Sequence, residues 1–433
     1  DPEEARWSTI AEAAHKEEIG IVIDNAMKAI EADNKTLKDV LPKNYASPDL
    51  DKRVLGDVVD IFTNSIDMSD TEINEDLLGR TYEYCIAQFA EKEGTSGGEF
   101  YTPSSIVKTL VEILKPYENC RVYDPCCGSG GMFVQSAKFI KAHNGKRGAI
   151  SVYGQEANAD TWKMAKMNMA IRGIDANLGS YQADTFTNDW HKTLKADFIL
   201  ANPPFNYHPW NQERLIEDPR WKYGLPPAGN ANYAWIQHMI HHLAPNGKIG
   251  LVLANGALST QTSGEGEIRK NIIEDDKIEG IIAMPTQLFY SVTIPVTLWF
   301  ISNNKKQKGK TLFIDARNMG HMVDRKHRDL SDGTVDPEDN DIKILADTFE
   351  AFQNGTLEEK KGFCAIATTE DIAKQDYILT PGRYVGIEEH EDDGEPFEEK
   401  MERLTSELSD MFAKSYELEE EIRKKLGAIG YEI

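Results

Sequence analysis

Ala196-Asp197-Phe198-Ile199-Leu200-Ala201-Asn202-Pro203-Pro204-Phe205 reads as a strand that ends abruptly. Phe198 to Ala201 is a short apolar run, suited to a strand buried on both faces of a parallel sheet. The two prolines after Asn202 have no N–H for a sheet and hold φ at about −65°. The backbone therefore leaves the sheet in one stiff shape. It presents an Asn amide, bare carbonyls and a Phe ring at the carboxyl edge, where open α/β sheets bind ligands. An amide oxygen and a carbonyl accept hydrogen bonds from an exocyclic amino group, and a Phe face stacks on a base. An ordinary turn after a strand has the same X-Pro-Pro form, so the meaning of this stretch depends on what precedes it.

Three more strand ends precede it. Arg121-Val122-Tyr123 leads into Asp124-Pro125-Cys126-Cys127-Gly128-Ser129-Gly130-Gly131, and Met132, Phe133, Ala137 and Ile140 follow at helical spacing. Strand, glycine-rich turn and helix form a nucleotide-binding arrangement in which glycines let the backbone approach a ligand. The turn is neither a Walker loop nor a G-x-G-x-x-G. Residues 149–154 predict a second strand ending at Gln155-Glu156, and an acid there can bind ribose hydroxyls. A helix is expected over 158–172, with Met164, Met167 and Met169 as packing rather than a cofactor box. Residues 178–183 predict a third strand, ending at Asp184-Thr185-Phe186. Asp124, Glu156, Asp184 and Asn202 thus stand at the carboxyl ends of four successive strands, which chance placement does not explain.

The chain of 433 residues is too long for one core. Apolar patterns at three- and four-residue spacing over 1–94 predict a helical domain, from Ile19, Val22, Ile23, Ala26, Met27 and Ile30, then Val54, Leu55, Val58, Val59 and Phe62, then Leu77, Leu78, Thr81, Tyr82, Cys85 and Phe89. A Gly-rich joint over 93–98 precedes Glu99-Phe100-Tyr101-Thr102-Pro103-Ser104, where Thr102 suits an N-cap and Pro103 a first helical residue. No apolar run approaches the ~20 residues of a membrane span, and no secretory leader is seen. Five Cys do not make a disulfide framework, which suits the cytoplasm. No metal-ligand set is recognised. The initial Asp is read as a missing natural start. A net charge of −24 makes the chain a poor DNA binder on its own, so another subunit would supply much of any phosphate contact.

With these motifs in this order, the chain resembles the modification (M) subunit of type I restriction–modification systems, an adenine-N6 DNA methyltransferase. The resemblance implies a Rossmann-like, S-adenosylmethionine-dependent α/β methyltransferase fold: a mixed, mostly parallel sheet flanked by helices, with an N-terminal helical domain and a C-terminal helical tail. It implies that Glu99, Phe100, Tyr101, Thr102, Pro103 and Ser104 form the upstream cofactor motif. Asp124, Cys127, Gly128, Ser129, Gly130 and Gly131 would hold the methionine end of S-adenosylmethionine, Glu156 the ribose, and Asp184 with Phe186 the cofactor adenine. Asn202, Pro203, Pro204 and Phe205 would be catalytic, Asn202 and the Pro203 carbonyl accepting the amino hydrogens of a flipped adenine on which Phe205 stacks. The motif order is similar to the γ arrangement of amino-methyltransferases, and residues 377–386 also resemble this family. The family usually starts with a longer helical domain, in keeping with a missing start. Small residues are common in the family where Cys126-Cys127 stand.

Expected domains are 1–94 (helical), 95–325 (methyltransferase), 326–390 (an extension with an acidic loop) and 391–433 (a partner helix). The aromatic stretch 206–231 reads equally as a lid near the target base or a packed surface loop. Neighbouring His241 and His242 are not expected as ligands. Residues 293–302 predict an edge hairpin that reverses direction, and Lys305, Lys306, Lys308 and Lys310 a basic turn. In the acidic tail, Phe397, Met401, Leu404, Leu408, Met411, Ser415, Leu418 and Ile422 alternate four- and three-residue steps, the seam of a coiled coil. The resemblance implies that this helix meets the specificity (S) subunit, in a complex with duplex DNA, a second M subunit bound to the same S subunit, and the restriction (R) subunit. Two other readings stay open: an N5-glutamine protein methyltransferase, which also uses Asn-Pro-Pro, and a non-catalytic scaffold that binds the cofactor.

Overall fold

A computed structural model describes residues 2–65, 78–79, 81–82, 84–86, 102–143, 150–289, 295–387 and 397–428. The chain divides into two compact units, Asp1–Gly386 and Ile387–Ile433.

The first unit opens with helices α1 (Trp7–Glu12), α2 (Ile19–Asp33) and α3 (Lys52–Ser65). Ile10, Ile19, Ile23, Ala26 and Val59 are buried together, with Val22, Met27 and Leu55 against them. The α3 face is rotated from the expectation: Leu55 and Val59 point inward, while Val54 and Val58 are exposed. Consecutive apolar residues cannot share one helix face, so packing chose one of each pair. Residues 78–79, 81–82 and 84–86 are helical. The remainder of that predicted helix and the Gly-rich joint lie outside the described residues.

The elements of the sheet and its flanking helices follow as α4 (Ser104–Leu114), β1 (Arg121–Asp124), α5 (Gly131–Ala142), β2 (Ser151–Gly154), α6 (Ala159–Ile171), β3 (Ala176–Asn177) and β4 (Ala196–Ala201). Then come α7 (Asn232–His241), β5 (Leu243–Ala254), α8 (Glu265–Glu274), β6 (Ile278–Ala283), β7 (Val296–Ser302), β8 (Lys310–Asp315), β9 (His321–Met322), β10 (Arg328–Asp329), α9 (Asp341–Asn354), β11 (Cys364–Thr368), α10 (Thr369–Ala373) and α11 (Gly382–Val385). Nine strands form one sheet in the order β11-β8-β6-β7-β5-β4-β1-β2-β3.

β4 lies parallel between β1 and β5, with Val122 opposite Phe198 and Leu200 opposite Gly250. The apolar run is therefore buried on both faces, Phe198 and Leu200 toward one core and Ile199 and Ala201 toward the other. At its start Asp197 anchors the β1 edge by accepting from the Arg121 backbone N–H (2.8 Å) and guanidinium (2.9 Å). Because β1, β2 and β4 run the same way, their carboxyl ends open on one side of the sheet.

Several expectations need correction. The third strand is only Ala176–Asn177, because the Leu178 carbonyl is taken by the Trp162 indole (2.8 Å). Asp184 therefore sits on an irregular segment. Residues 296–302 do reverse direction, but β7 is central, antiparallel to both β5 and β6, and buried throughout. The boundary expected at 325 divides nothing, since β11 pairs with β8 from Cys364 to Thr368 and Tyr384 stacks on Phe313 at 3.9 Å. Residues 206–231 are a packed segment rather than a lid: Trp210, Trp221 and Tyr223 are buried in one core. Lys305 of the basic turn is buried against Asp276 (2.6 Å). The second unit contains α12 (Phe397–Ala428), a continuous helix.

Candidate active site

The turn after β1 is built from its own backbone. Asp124 accepts from the Cys126 N–H (3.0 Å), and the Gly130 N–H donates to the Cys127 carbonyl (2.8 Å). Gly130, at φ +85°, caps α5 in the left-handed region, which a side chain there would strain. A Cβ on Gly130 would also meet Met169 Cε at 2.8 Å, whereas a Cβ on Gly131 would meet nothing within 4 Å among the described residues. Gly131 therefore leaves an open cradle at the N-terminus of α5, facing a helix dipole suited to an anion. Cys127 is less of a site residue than expected. Its N–H donates to the Gln155 carbonyl (2.9 Å), its side chain is buried in the core, and burial pushes its thiol well up. Ser129 holds the turn through its carbonyl, which accepts from Asn168 Nδ2 (2.8 Å).

Two carboxylates face this turn. Burial raises the Asp124 carboxyl from its ordinary 3.8 to about 7, and the negative charge of Glu156 adds to the rise. Glu156 accepts from the N–H groups of Gly128 (3.0 Å) and Asn158 (2.9 Å), joining the ends of β1 and β2. Asp184 accepts from the Phe186 N–H (2.8 Å) and Thr187 N–H (2.9 Å), which folds its loop, and the Thr185 hydroxyl donates to the Pro125 carbonyl (2.5 Å). The Phe186 ring does not line the site. It is buried against Trp235 (4.3 Å between centroids) and Trp210 (5.2 Å), because an aromatic core offers it more contact than the sheet edge does.

Asn202 stands where β4 ends. Its Nδ2 donates to Thr102 Oγ1 (2.9 Å), and its Oδ1 is buried with no hydrogen-bond partner among the described residues. Pro203 is buried, Pro204 and Phe205 are half-buried, and the Phe205 ring meets Phe289 edge-on at 6.2 Å. Thr102 does not cap α4 as expected. The helix begins at Ser104, and Pro103 occupies the cap position with an extended ψ of 140°. Glu99, Phe100 and Tyr101 lie outside the described residues.

Sequence reasoning missed the support behind these loops. Arg220 is buried and donates to the Thr185 carbonyl (3.2 Å), the Phe186 carbonyl (2.6 Å), both oxygens of Asp218 (2.8 Å each) and His238 Nδ1 (3.1 Å). It ties the 206–231 segment to the Asp184 loop. The only signal was an Arg among aromatics in an acidic chain. Asp189, His238 and His242 offer ligand atoms within 4.8 Å of one another. Each ring nitrogen nonetheless has a protein partner: His238 has Arg220 and Tyr123 (2.9 Å), and His242 has the Leu194 carbonyl (3.1 Å) and Asp189 (2.9 Å). Burial holds His238 well below its ordinary value, hence neutral, as an acceptor from Arg220 must be.

A mostly parallel sheet whose carboxyl edge gathers a glycine turn, paired carboxylates and an Asn-Pro-Pro-Phe corner defines an S-adenosylmethionine-dependent methyltransferase fold. Residues 73–393 match the family model described as N-6 DNA Methylase, and residues 1–62 match the HsdM N-terminal domain. The chain is 51% identical to the type I restriction enzyme HindI methylase subunit of Haemophilus influenzae, across 95% of this chain and 93% of that one. It is 40% identical to the MjaIX methylase subunit of Methanocaldococcus jannaschii, across 99% and 77%. The crystal structure of the type I restriction–modification methyltransferase subunit from Streptococcus thermophilus superposes with a TM-score of 0.77 at 25% identity, covering 89% of this chain and 80% of that one. The chain belongs to the N-6 DNA methylase family, among the type I restriction enzyme methylase subunits.

Proposed function

We propose that this chain transfers the methyl group of S-adenosylmethionine to N6 of an adenine flipped out of duplex DNA, as the modification subunit of a type I restriction–modification complex in the cytoplasm. The observation that carries the reading is the buried, unpartnered Oδ1 of Asn202 at the end of β4. A buried acceptor without a donor is costly in a native fold and calls for an incoming N–H. The target amine supplies one, and the Pro203 carbonyl takes the other amino hydrogen. Both acceptors draw density toward N6, and the stiff Pro-Pro corner keeps them in place. Phe205, braced by Phe289, stacks on the base.

The cradle fits S-adenosylmethionine: open space at Gly131 for a close backbone approach, Asp124 for the ammonium, and Glu156 for the ribose hydroxyls. When bound, the cofactor supplies a methyl group on a sulfonium, which needs no covalent enzyme intermediate. The protein's own contribution is placement and charge. Family membership across nearly the whole chain disfavours the glutamine-methyltransferase reading, and the open Oδ1 disfavours the scaffold.

In α12, Met401, Leu404, Leu408, Met411, Leu418 and Ile422 form a stripe exposed by 43% at Leu404 to 61% at Met411. We assign this stripe to the specificity subunit, which would bring DNA recognition, a second modification subunit and the restriction subunit. Partner-dependent methylation tests the whole reading. The chain mixed with its specificity subunit should methylate DNA, and Asn202→Ala should abolish transfer while leaving cofactor binding near normal. Full activity of Asn202→Ala would sink the assignment.

A further inference from the structure

We infer that Thr102 is a positioning residue that orients the Asn202 amide for catalysis, rather than only a cofactor contact or helix cap. The inference rests on the reading that Asn202 accepts the target amine. Three observations carry it. The Thr102 hydroxyl oxygen lies 2.9 Å from Asn202 Nδ2, across 100 residues of sequence. Thr102 makes no cap to α4, so its hydroxyl is not committed to that helix. The other end of the amide, Oδ1, is buried and open.

The chemistry follows from the shape of a carboxamide. Its two ends are nearly alike in size, and its terminal torsion is broad and two-fold. Only one orientation serves the reaction, since Nδ2 turned toward an amine would set donor against donor. With the base in place, Thr102 Oγ1 accepting from Nδ2 and Oδ1 accepting from the amine satisfies both ends at once. The flipped orientation leaves Nδ2 buried and facing N–H groups. Accepting from Nδ2 also polarises the amide, which makes Oδ1 a stronger acceptor. Pro103, at φ −54°, follows directly and fixes the backbone that carries the hydroxyl. The upstream motif and the catalytic motif are thus joined by one hydrogen bond, a link that sequence order does not reveal.

The test uses the full chain with its specificity subunit and a duplex containing its site. Single-turnover methylation, cofactor Kd by calorimetry and melting temperature are compared for wild type, Thr102→Val, Thr102→Ala, Thr102→Ser and Asn202→Ala. We expect Thr102→Val and Thr102→Ala to slow methyl transfer 10- to 100-fold at saturating cofactor, beyond any change in Kd. Thr102→Ser, which keeps the oxygen, should recover to within about threefold. Wild-type rates in Thr102→Val with an inactive Asn202→Ala would overturn the positioning role and spare the catalytic one. An active Asn202→Ala would overturn both. A weakened Kd with an unchanged saturated rate would make Thr102 a cofactor contact only. Should Val prove too bulky and lower the melting temperature, the Ala and Ser pair carries the comparison.

Discussion

Replacing Asp124 by Asn should make the empty protein more stable at neutral pH and worse at its job. Asp124 is buried, and its carboxyl rises from 3.8 to about 7, mainly through lost solvation. A folded pKa raised above the unfolded value means that folding takes up a proton between those limits. Stability is therefore lost as pH climbs from about 4 to about 7, and levels off above. At about 1.36 kcal/mol per pH unit, the full span is about 4 kcal/mol as an upper bound. The substituted amide would carry no charge and could still accept from the Cys126 N–H that Asp124 now holds at 3.0 Å. The variant should melt roughly 2–5 °C above wild type at pH 8, and less than half as far above it at pH 5. Its affinity for S-adenosylmethionine should fall at least tenfold at pH 8, or about 1.4 kcal/mol, because the ammonium loses its counter-charge. Wild-type affinity should weaken as pH drops below about 7, and the variant's should not. Scanning calorimetry and titration calorimetry across pH 5–8 read both effects. A stability gap that does not change with pH, or a variant less stable than wild type at pH 8, would refute the buried-charge reasoning.

Gly131→Ala adds a Cβ that meets no described protein atom within 4 Å, so melting should hold or rise slightly while cofactor Kd weakens at least tenfold; an unchanged Kd would show that nothing approaches there. Gly130→Val is a poorer probe than Gly131→Ala, since φ +85° and Met169 make it strain the fold itself, and its melting temperature should fall with or without cofactor. Arg220→Met leaves Asp218 and the Thr185 and Phe186 carbonyls without their donor, and should cost about 3–5 kcal/mol in urea unfolding; a loss under about 1 kcal/mol would remove its bracing role. Deleting residues after 395 should leave cofactor binding intact but weaken co-purification with the specificity subunit, and co-purification at wild-type strength would favour a helix that serves only its own chain.

The sheet edge was legible because its signals are local. An apolar run stopped by Asn-Pro-Pro reads as the end of a buried strand, and the glycine turn after β1, in the same position on a second strand, gives that end its meaning. What failed was decided by partners distant in sequence. Leu178 looked like a strand until Trp162 took its carbonyl. The 293–302 run was read as an edge hairpin, but the seven buried residues of β7 lie between β5 and β6, and their hydrophobicity fits either place. Residues 326–390 looked like an extension because nothing in a sequence shows that β11 adds to β8. Phe186 was placed at the site by analogy, whereas the tryptophans at 210, 221 and 235 that claim its ring are scattered along the chain. Thr102 suited a cap by its residue type, yet its partner stands 100 positions away. The helix of the tail, by contrast, rests on a local apolar pattern, and α12 spans Phe397–Ala428.

The most direct measurement is transfer of labelled methyl from S-adenosylmethionine to duplex DNA by the chain with its specificity subunit, followed by digestion to nucleosides. Wild type should place the label on N6-methyladenine alone, and Asn202→Ala should place none there while binding cofactor as wild type does. Label on another base or on protein, or N6-methyladenine formed by Asn202→Ala at the wild-type rate, would contradict the assignment of Asn202 as acceptor of the adenine amine.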